Sequence, residues 1–293
     1  MANLKEVRTR IASVSSTQQI TSAMKMVSAA KFRRAQNAIM GMRPYAAQLA
    51  SIVADIDVED GVQTPYHEQR AIESVLLVVV TSNKGLCGAF NSNVIKEASS
   101  RLAYYDSMPS RPEVRMITLG KRGTEFFQKQ KELVISSHDD LLDSPNFDDI
   151  VDLCQTIMDS FCNKEYDVVE IVYNQFKNSL TQILSCEQFL PVVNKERVKA
   201  DGETKTKNDY IYEPDKETIM REMIPMTLRS QFYRVILDSL AAEHGARMTA
   251  MQKATDNATE LLKELRLSYN KARQAAITNE IIEIVSGSEA LKN

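Results

Sequence analysis

The chain has 293 residues, 43% of them hydrophobic and 26% charged, and its formal net charge is −3. This size and apolar content suffice for one or two domains with a real core, which excludes a chain too small or too polar to fold alone. The sequence has no apolar signal core and no run of about 18 apolar residues, so secretion by that route and direct membrane insertion are not expected.

Positive charge is concentrated at the start of the chain. Residues 1–43 contain eight Lys or Arg residues against Glu6 alone, whereas residues 226–293 are nearly neutral and the middle is acidic. A basic arm on an acidic body indicates that the arm faces something anionic, which could be protein, nucleic acid or lipid headgroups.

The first long element is predicted to be a helix from Asn3 to Met42. Asn3 is a suitable N-cap, with Glu6 as its capping-box partner. An apolar seam of Val7, Ile11 and Val14 is interrupted by the polar residues 15–19 and resumes in a shifted frame, which changes a supercoil locally. Pro44 should kink or end the helix, and a weaker helical pattern continues to about Ile56. The seam that resumes after residue 19 consists of Ile20, Met24, Val27 and Lys31. Residues 1–56 are therefore the N-terminal coiled-coil helix, and residues 57–74 are a linker.

An α/β domain is predicted over residues 75–193. Its first strand is the unbroken apolar run Val75–Thr81, which is typical of a strand covered on both faces. Strands and helices then alternate, which predicts a small, mostly parallel, Rossmann-like sheet with helices on its faces and an antiparallel edge strand. The later elements are a helix from Asn91 to Tyr105, strands at Val114–Leu119 and Leu133–Ile135, a helix from Ser144-Pro145 to Cys162, and strands at Asp167–Tyr173 and Thr181–Cys186.

Residues 194–225 are predicted to form an exposed loop, an extended piece around Tyr210 and a short helix. Pro225 should separate that short helix from the long element over residues 226–293. From Met226 to Ser286 the chain has no proline and one glycine, so a single helix there would be about 90 Å long. Steps of three and four from Leu237 follow a largely apolar track, which is the pattern of a coiled coil. The track is Leu237, Leu240, His244, Arg247, Met251, Ala254, Ala258, Leu261, Leu265, Ser268, Ala272, Ala275, Asn279 and Ile282.

The two long helices are expected to pair antiparallel. Because they differ in length, one end of the C-terminal helix should protrude. The alanine-rich seam would allow close approach, but Arg247 does not suit a helix built only for stability. Such polar positions either face a partner or rotate off the seam.

Catalytic chemistry has weak candidates. The loop Ser82–Gly88 follows a strand and leads into a helix whose N-terminus could bind an anion, but it matches neither a P-loop nor Gly-x-Gly-x-x-Gly. A tight structural turn is the alternative. Cys87 would need a base to act as a nucleophile, and no histidine stands in a suggestive context. Without Cys-x-x-Cys pairs or a histidine cluster, the four cysteines predict a reducing compartment and neither disulfides nor a metal site. No cofactor is expected.

Several specific strings resemble one family, the gamma subunit of F-type ATP synthase in its bacterial-like form. The resemblance covers essentially the whole chain in the right order. The strings are Ile11–Val14, Thr17–Lys31, Gly85–Gly88 with Asn91, Tyr210–Asp215, Ala246–Ala258 and Tyr269–Gly287.

This resemblance implies a rotor shaft without catalytic residues, present in one copy per complex. Its two helices would form an asymmetric antiparallel coiled coil inside a hexamer of alpha and beta subunits. The α/β domain would sit outside, with the epsilon subunit on the membrane-embedded ring of c subunits. Proton flow would turn the shaft, and the shaft would drive the beta subunits through their conformational cycle. The expected location is peripheral, on the cytoplasmic face of the bacterial inner membrane.

The family's contact residues carry over onto particular positions. Met24 and Lys25 match the contact with the beta-subunit lever, and the basic residues around Arg33 would face acidic lever residues. Each position could instead make only a helix or coil contact, plain packing being the alternative for Met24. The other matches are Arg247, Gln274, Thr278 and Glu280 for the upper shaft–collar contact, and Tyr210 and Glu213 for the contact of the foot segment with the c-ring.

Two other classes of protein remain open on the sequence. One is a coiled-coil scaffold or tether with an α/β recognition domain, which would form a soluble homo-oligomer. The other is a nucleotide-dependent enzyme that uses the Asn83–Gly88 loop. Nucleic-acid binding by the basic arm is a weaker alternative.

Overall fold

A computed structural model of the chain describes residues 4–60, 64–129, 133–143, 145–178, 181–192, 213 and 215–290. Two single-turn 3₁₀ helices lie at Pro65–His67 and Asp140–Leu142. The main elements are α1 (Leu4–Asp60), β1 (Ser74–Val80), α2 (Phe90–Asp106), β2 (Glu113–Leu119), α3 (Lys121–Phe127), β3 (Val134–Ser137), α4 (Phe147–Cys162), β4 (Val168–Phe176), β5 (Gln182–Leu190) and α5 (Lys216–Ala290).

The chain divides into two compact units. The first, which we call the α/β unit, is Ala30–Ala246, and the second, the two-helix unit, combines Met1–Ala29 with Arg247–Asn293. Helices α1 and α5 contribute residues to both units.

A five-stranded sheet in the order β3-β2-β1-β4-β5 forms the centre of the α/β unit. Strands β1 to β4 are parallel, and β5 pairs antiparallel with β4 at one edge. Helix α2 connects β1 to β2 and α4 connects β3 to β4, so the chain reverses its direction of progress across the sheet between β1 and β4. The predicted mostly parallel sheet with an antiparallel edge strand is confirmed.

Side chains alternate between the two faces of the sheet along each strand. Both faces of this sheet are buried. On β1, Val75, Leu77 and Val79 pack with α2 and the end of α3. Leu76, Val78 and Val80 pack on the opposite face, against α4 and the first half of α5. The continuous apolar run that predicted a doubly covered strand therefore has the expected environment.

Helix α5 begins ten residues before the predicted start at Met226. The prediction that Pro225 separates two helices is wrong, because the helix runs through this position. Proline removes one hydrogen bond and costs about 3 kcal/mol inside a helix. Burial of Met220, Ile224 and Leu228 in the sheet core offsets this cost, since each buried side chain of this kind contributes about 1.5–3 kcal/mol.

Helix α1 likewise continues through Pro44 and ends at Asp60, so the prediction that this proline could end it is wrong. Ile39 and Leu49 are buried on either side of the proline and hold both segments. The proposed cap Asn3 lies outside the described residues. Helix α4 starts at Phe147 with Asn146 at its N-cap, and not at Ser144-Pro145.

In the two-helix unit, α1 and α5 run antiparallel with a polar contact between them. The Gln18 side chain donates a hydrogen bond to the Thr259 hydroxyl at 2.7 Å, and the hydroxyls of Thr21 and Thr255 lie 2.8 Å apart. As one residue number rises the other falls, which gives the antiparallel direction. The predicted pairing of two long antiparallel helices is confirmed.

Candidate functional site

The seam on α1 departs from the predicted one after the polar interruption. Its first part, Val7 to Val14, has its seam positions buried or half-buried, but Ile20 and Val27 are 57% and 59% exposed and Lys31 is exposed as well. The prediction for these three residues is therefore wrong. The neighbouring hydroxyl residues Thr21 and Ser28 are buried instead, at 9% and 3%.

The threonine hydroxyls of this seam also bond within their own helices. Thr255 donates to the Met251 carbonyl and Thr259 to the Thr255 carbonyl, each at 2.8 Å, and Thr21 donates to the Gln18 carbonyl at 3.1 Å. A hydroxyl has one hydrogen and two acceptor lone pairs, so Thr259 accepts from Gln18, and either hydroxyl of the Thr21–Thr255 pair can be the donor across the seam.

The residues predicted to contact the beta lever lie near this seam. Met24 and Lys25 are half-buried. The next two residues, Met26 and Val27, are exposed, and Ser28 after them is buried. The exposed apolar face includes Ile20, Met26 and Val27, which sequence reasoning did not single out as contacts. A signal was available, because serines and threonines recur along both terminal helices.

The predicted α5 seam changes character along its length. From Leu240 to Leu265 its positions are buried or half-buried, but Ser268, Asn279 and Ile282 are exposed, so the seam prediction fails at that end. The Gln18–Thr259 hydrogen bond fixes the alignment of the two antiparallel helices and places Leu4, the first described residue of α1, beside about residue 273 of α5. No described residue of α1 lies beside the later part of α5.

The exposed end of α5 contains three of the four predicted collar residues. Gln274, Thr278 and Glu280 are all exposed. They share this end with an apolar stripe at helical spacing, which the sequence analysis did not identify as functional. Its members are Ile277, Ile281, Ile284 and Val285, with Ile284 71% exposed.

Arg247, the fourth predicted collar residue, is only 7% exposed and interacts with other groups of the chain. The structure therefore does not group it with the three exposed residues. Of the predicted foot residues, Glu213 is exposed and Tyr210 lies outside the described residues. The basic side chains Lys31, Arg33 and Arg34 are exposed.

The Ser82–Gly88 loop is closed by its own polar groups. The Ser82 backbone N–H donates to Asn91 Oδ1 at 2.9 Å, and Asn91 Nδ2 donates to Ser82 Oγ at 2.8 Å and to Cys87 Sγ at 3.2 Å. Ser82 Oγ also donates to the Lys84 carbonyl at 2.7 Å. Gly88, with φ of +63°, takes the left-handed conformation that glycine tolerates best. These contacts favour the structural turn over an anion site.

Other titratable groups of the α/β unit have a structural environment. Burial raises the pKa of the Cys154 thiol to about 12, and burial beside Glu170 raises the pKa of Cys186 to about 12. Both thiols are therefore protonated at neutral pH and poor nucleophiles. Within the described part of the chain, no cluster of His, Cys, Asp or Glu is arranged to hold a metal ion. No described helix combines the length and apolar content needed to cross a membrane.

Comparison with known proteins defines the class. A family model described as ATP synthase matches residues 3–291. The chain is 52% identical to the ATP synthase gamma chain of Flavobacterium psychrophilum, with all of both chains covered. It is 49% identical to the ATP synthase gamma chain of Cytophaga hutchinsonii, again over the full length of both.

Solved structures agree with these sequence relatives. The central stalk and c-ring structure of the Tetrahymena thermophila mitochondrial ATP synthase contains a chain that is 26% identical, with a TM-score of 0.60. The match covers 80% of this chain and 99% of that chain. A rotor chain of the Euglena gracilis mitochondrial ATP synthase has the same fold, with a TM-score of 0.65 at 20% identity, covering 94% of this chain and 98% of that one. The chain belongs to the ATP synthase gamma chain family.

Proposed function

We propose that this chain is the central rotor shaft of an F-type ATP synthase and has no catalytic residues of its own. The observation that carries the proposal is the end of α5, where an apolar stripe extends past the end of α1 and remains exposed. A lone helix end with large exposed apolar residues is typical of a surface that a partner covers.

The proposed partners are the alpha and beta subunits, which surround the two-helix unit, and the epsilon subunit and c-ring, which bind the α/β unit. Proton-driven turning of the c-ring would rotate the shaft, and the shaft would drive the beta subunits through their states. The complex would place the chain at the cytoplasmic face of the bacterial inner membrane, without insertion. Catalysis would belong to the beta subunits.

Rotation can shift the beta subunits only if the shaft contacts each of them differently. The chain has the asymmetry that this requires. One side of α1 presents the exposed apolar residues Ile20, Met26 and Val27, while the other side, at Thr21, packs against α5. A shaft with these unlike surfaces offers different contacts to otherwise identical collar sites.

The lever contact is proposed at Met24 and Lys25. Both side chains are half-buried against the chain itself, so part of each remains for a partner. Lys25 could pair with a lever carboxylate, and the exposed Met26 and Val27 beside it would add apolar contact.

The collar contact is proposed at Gln274, Thr278 and Glu280, together with the apolar stripe of Ile277, Ile281, Ile284 and Val285. Arg247 remains in this proposal, but at 7% exposure its side chain would have to leave its place in the chain to reach a collar. Replacing Arg247 with Ala should therefore lower both ATP synthesis and the stability of the shaft. For the c-ring contact, Tyr210 and the exposed Glu213 are the proposed residues.

Truncation of α5 tests the function with a built-in control. Shafts ending after Ser286 and after Arg273 are reconstituted with alpha, beta, epsilon and the membrane sector in vesicles, and ATP synthesis is measured under a proton gradient. The shorter deletion leaves the whole stripe in place and should be tolerated. The longer deletion removes the stripe and the three exposed collar residues, and synthesis should fall several-fold.

Full synthesis by the shaft that ends at Arg273 would contradict the collar contact. Failure of the intact chain to co-purify with alpha, beta and epsilon from gently solubilised membranes would contradict the rotor function itself.

A further inference from the structure

The carboxyl ends of β1 and β4 define a particular place in this fold. Strand order in the sheet reverses between these two strands. In open α/β sheets with this arrangement, ligands commonly bind in the crevice outside the strand ends at the point of reversal. In this chain the crevice is bordered by the Thr81–Ala89 loop after β1 and by Phe176, the last residue of β4.

Side chains of the two long helices fill this crevice. From the sheet side, Cys87, Phe90 and Phe176 contribute, and they pack with Ala242 and Ala246 of α5. Phe176 also packs in a second cluster with residues of both helices. The members of that cluster are Phe32, Ala35, Ile39 and Met42 from α1 and Tyr233, Leu237 and Ala241 from α5. We call the two sets together the switch-point cluster.

Phe176 joins both parts of the switch-point cluster. Its ring meets the Phe32 ring edge-on, with centroids 5.4 Å apart and an interplanar angle of 62°. This geometry is favourable for aromatic pairs. Phe176 is therefore a strand-end residue that contacts α1 and α5 at once.

Hydrogen bonds tie together the sheet side of the cluster. Asn174, buried two residues before Phe176, donates its amide hydrogen to the Phe90 carbonyl at 3.0 Å. This bond joins the end of β4 to the start of α2. The Ser82–Asn91–Cys87 contacts fix the loop between them. The alanines of α5 allow its backbone to approach this surface closely.

We propose that the switch-point cluster is the place where turning force passes between the sheet and the two long helices, with Phe176 and Phe32 as its positioning residues. A position that commonly binds a ligand in this fold serves here as a mechanical contact. This inference rests on the proposed rotor function. It adds that the coupling depends on an apolar contact at one strand end, distinct from any contact with another subunit.

The test replaces Phe176 with Leu, which keeps an apolar side chain but removes the ring contact. Phe127→Leu is the matched control, because Phe127 is a buried aromatic in a cluster that contains no residue of α1 or α5. Complexes are reconstituted in vesicles, and ATP hydrolysis and ATP-driven proton pumping are measured together. We expect protons pumped per ATP hydrolysed to fall several-fold for Phe176→Leu and to stay unchanged for Phe127→Leu.

A second variant, Phe32→Leu, covers the case in which Phe176→Leu does not assemble, since Phe32 lies on α1 and not in the sheet. It should give the same loss of pumping per ATP, and the double variant should be no worse than either single one. Unchanged pumping per ATP in Phe32→Leu, or an equal loss in Phe127→Leu, would overturn the inference. Absence of ATP-driven pumping with the unmodified chain would instead contradict the proposed function.

Discussion

The α/β unit and the two-helix unit differ in how many of their large apolar side chains they bury. In the α/β unit, α5 buries Phe232, Val235 and Ile236 completely against the sheet and α4. In the two-helix unit, the buried positions of α1 include Thr21 and Ser28 beside Val7, while Ile20, Met26 and Val27 face outwards. The same two helices therefore carry a protein core in one unit and an exposed apolar surface in the other.

This difference separates residues that fold the chain from residues available to partners. Large buried side chains contribute most of the favourable free energy of folding, at roughly 25 cal/mol per Å² of apolar surface removed from water. The two-helix unit buries fewer large side chains, among them Val7, Met251 and Leu262. Its cross-helix hydrogen bonds favour one alignment of the helices, since a shift along the seam would break the Gln18–Thr259 and Thr21–Thr255 bonds.

The largest expected effect is in the core of the α/β unit. Phe232→Ala should lower the free energy of unfolding by about 3–5 kcal/mol, because it leaves a cavity at a fully buried site. Chemical denaturation of the isolated chain, followed by circular dichroism, measures this change. Leu267→Ala on the same helix is the control, since Leu267 is 64% exposed and its loss should cost no more than about 0.5 kcal/mol. Equal losses from both variants would remove the contrast between the units.

A smaller loss is expected from the charged pair inside the same unit. Arg101 on α2 binds Glu170 on β4 through two hydrogen bonds, and the Glu170 side chain is 6% exposed. Arg101→Leu would leave this carboxylate buried without its cation. The expected cost is about 2–3 kcal/mol, below the usual value for a buried pair because the Arg101 side chain is 28% exposed.

The double variant Arg101→Leu with Glu170→Leu tests the cause of that loss. Removing both charges should restore part of the free energy of unfolding seen in denaturation, since no unpaired charge is left in the core. A double variant less stable than Arg101→Leu alone would show that the pair acts mainly through packing.

The sequence was sufficient to predict the sheet and the two long helices, because each depended on a pattern that local chemistry determines. The unbroken run Val75–Val80 predicted a doubly covered strand, and the length of the α5 pattern predicted a helix too long for a globular domain. Proline positions were less informative. Pro44 and Pro225 have strong local effects, but tertiary burial of their neighbours outweighs them.

The candidate site was predicted less completely. Choosing apolar residues for the seam gave the wrong frame at Ile20 and Val27, because a partner surface and a core have the same apolar composition. The cross-helix contacts of Gln18 and Thr21, and the burial of Ser28, distinguish the two sides of α1. Likewise, the burial of the Arg247 side chain depends on packing that its heptad position does not specify.

The hydroxyl seam should contribute about 1 kcal/mol through each cross-helix hydrogen bond. Thr21→Val keeps the shape of the side chain and removes the hydroxyl that pairs with Thr255 across the seam. The expected loss of about 1 kcal/mol can be measured by hydrogen exchange of the α1 amides around this position. Thr17→Val is the matched control, because Thr17 is exposed and its hydroxyl bonds only to the Ser13 carbonyl of its own helix. Equal effects of the two substitutions would contradict a role for the seam.

The smallest effect on folding is expected at the exposed end of α5. Ile281→Ser with Ile284→Ser should change the free energy of unfolding of the isolated chain by no more than about 0.5 kcal/mol, because both side chains are already in water. Ile224→Ser on the same helix removes an equal side chain from the sheet core and should destabilise the chain strongly. If the exposed pair also proved destabilising, the stripe would be covered by the chain itself in solution. It would then not be a surface held open for a partner, and the division between folding residues and partner residues would not apply at this end of the helix.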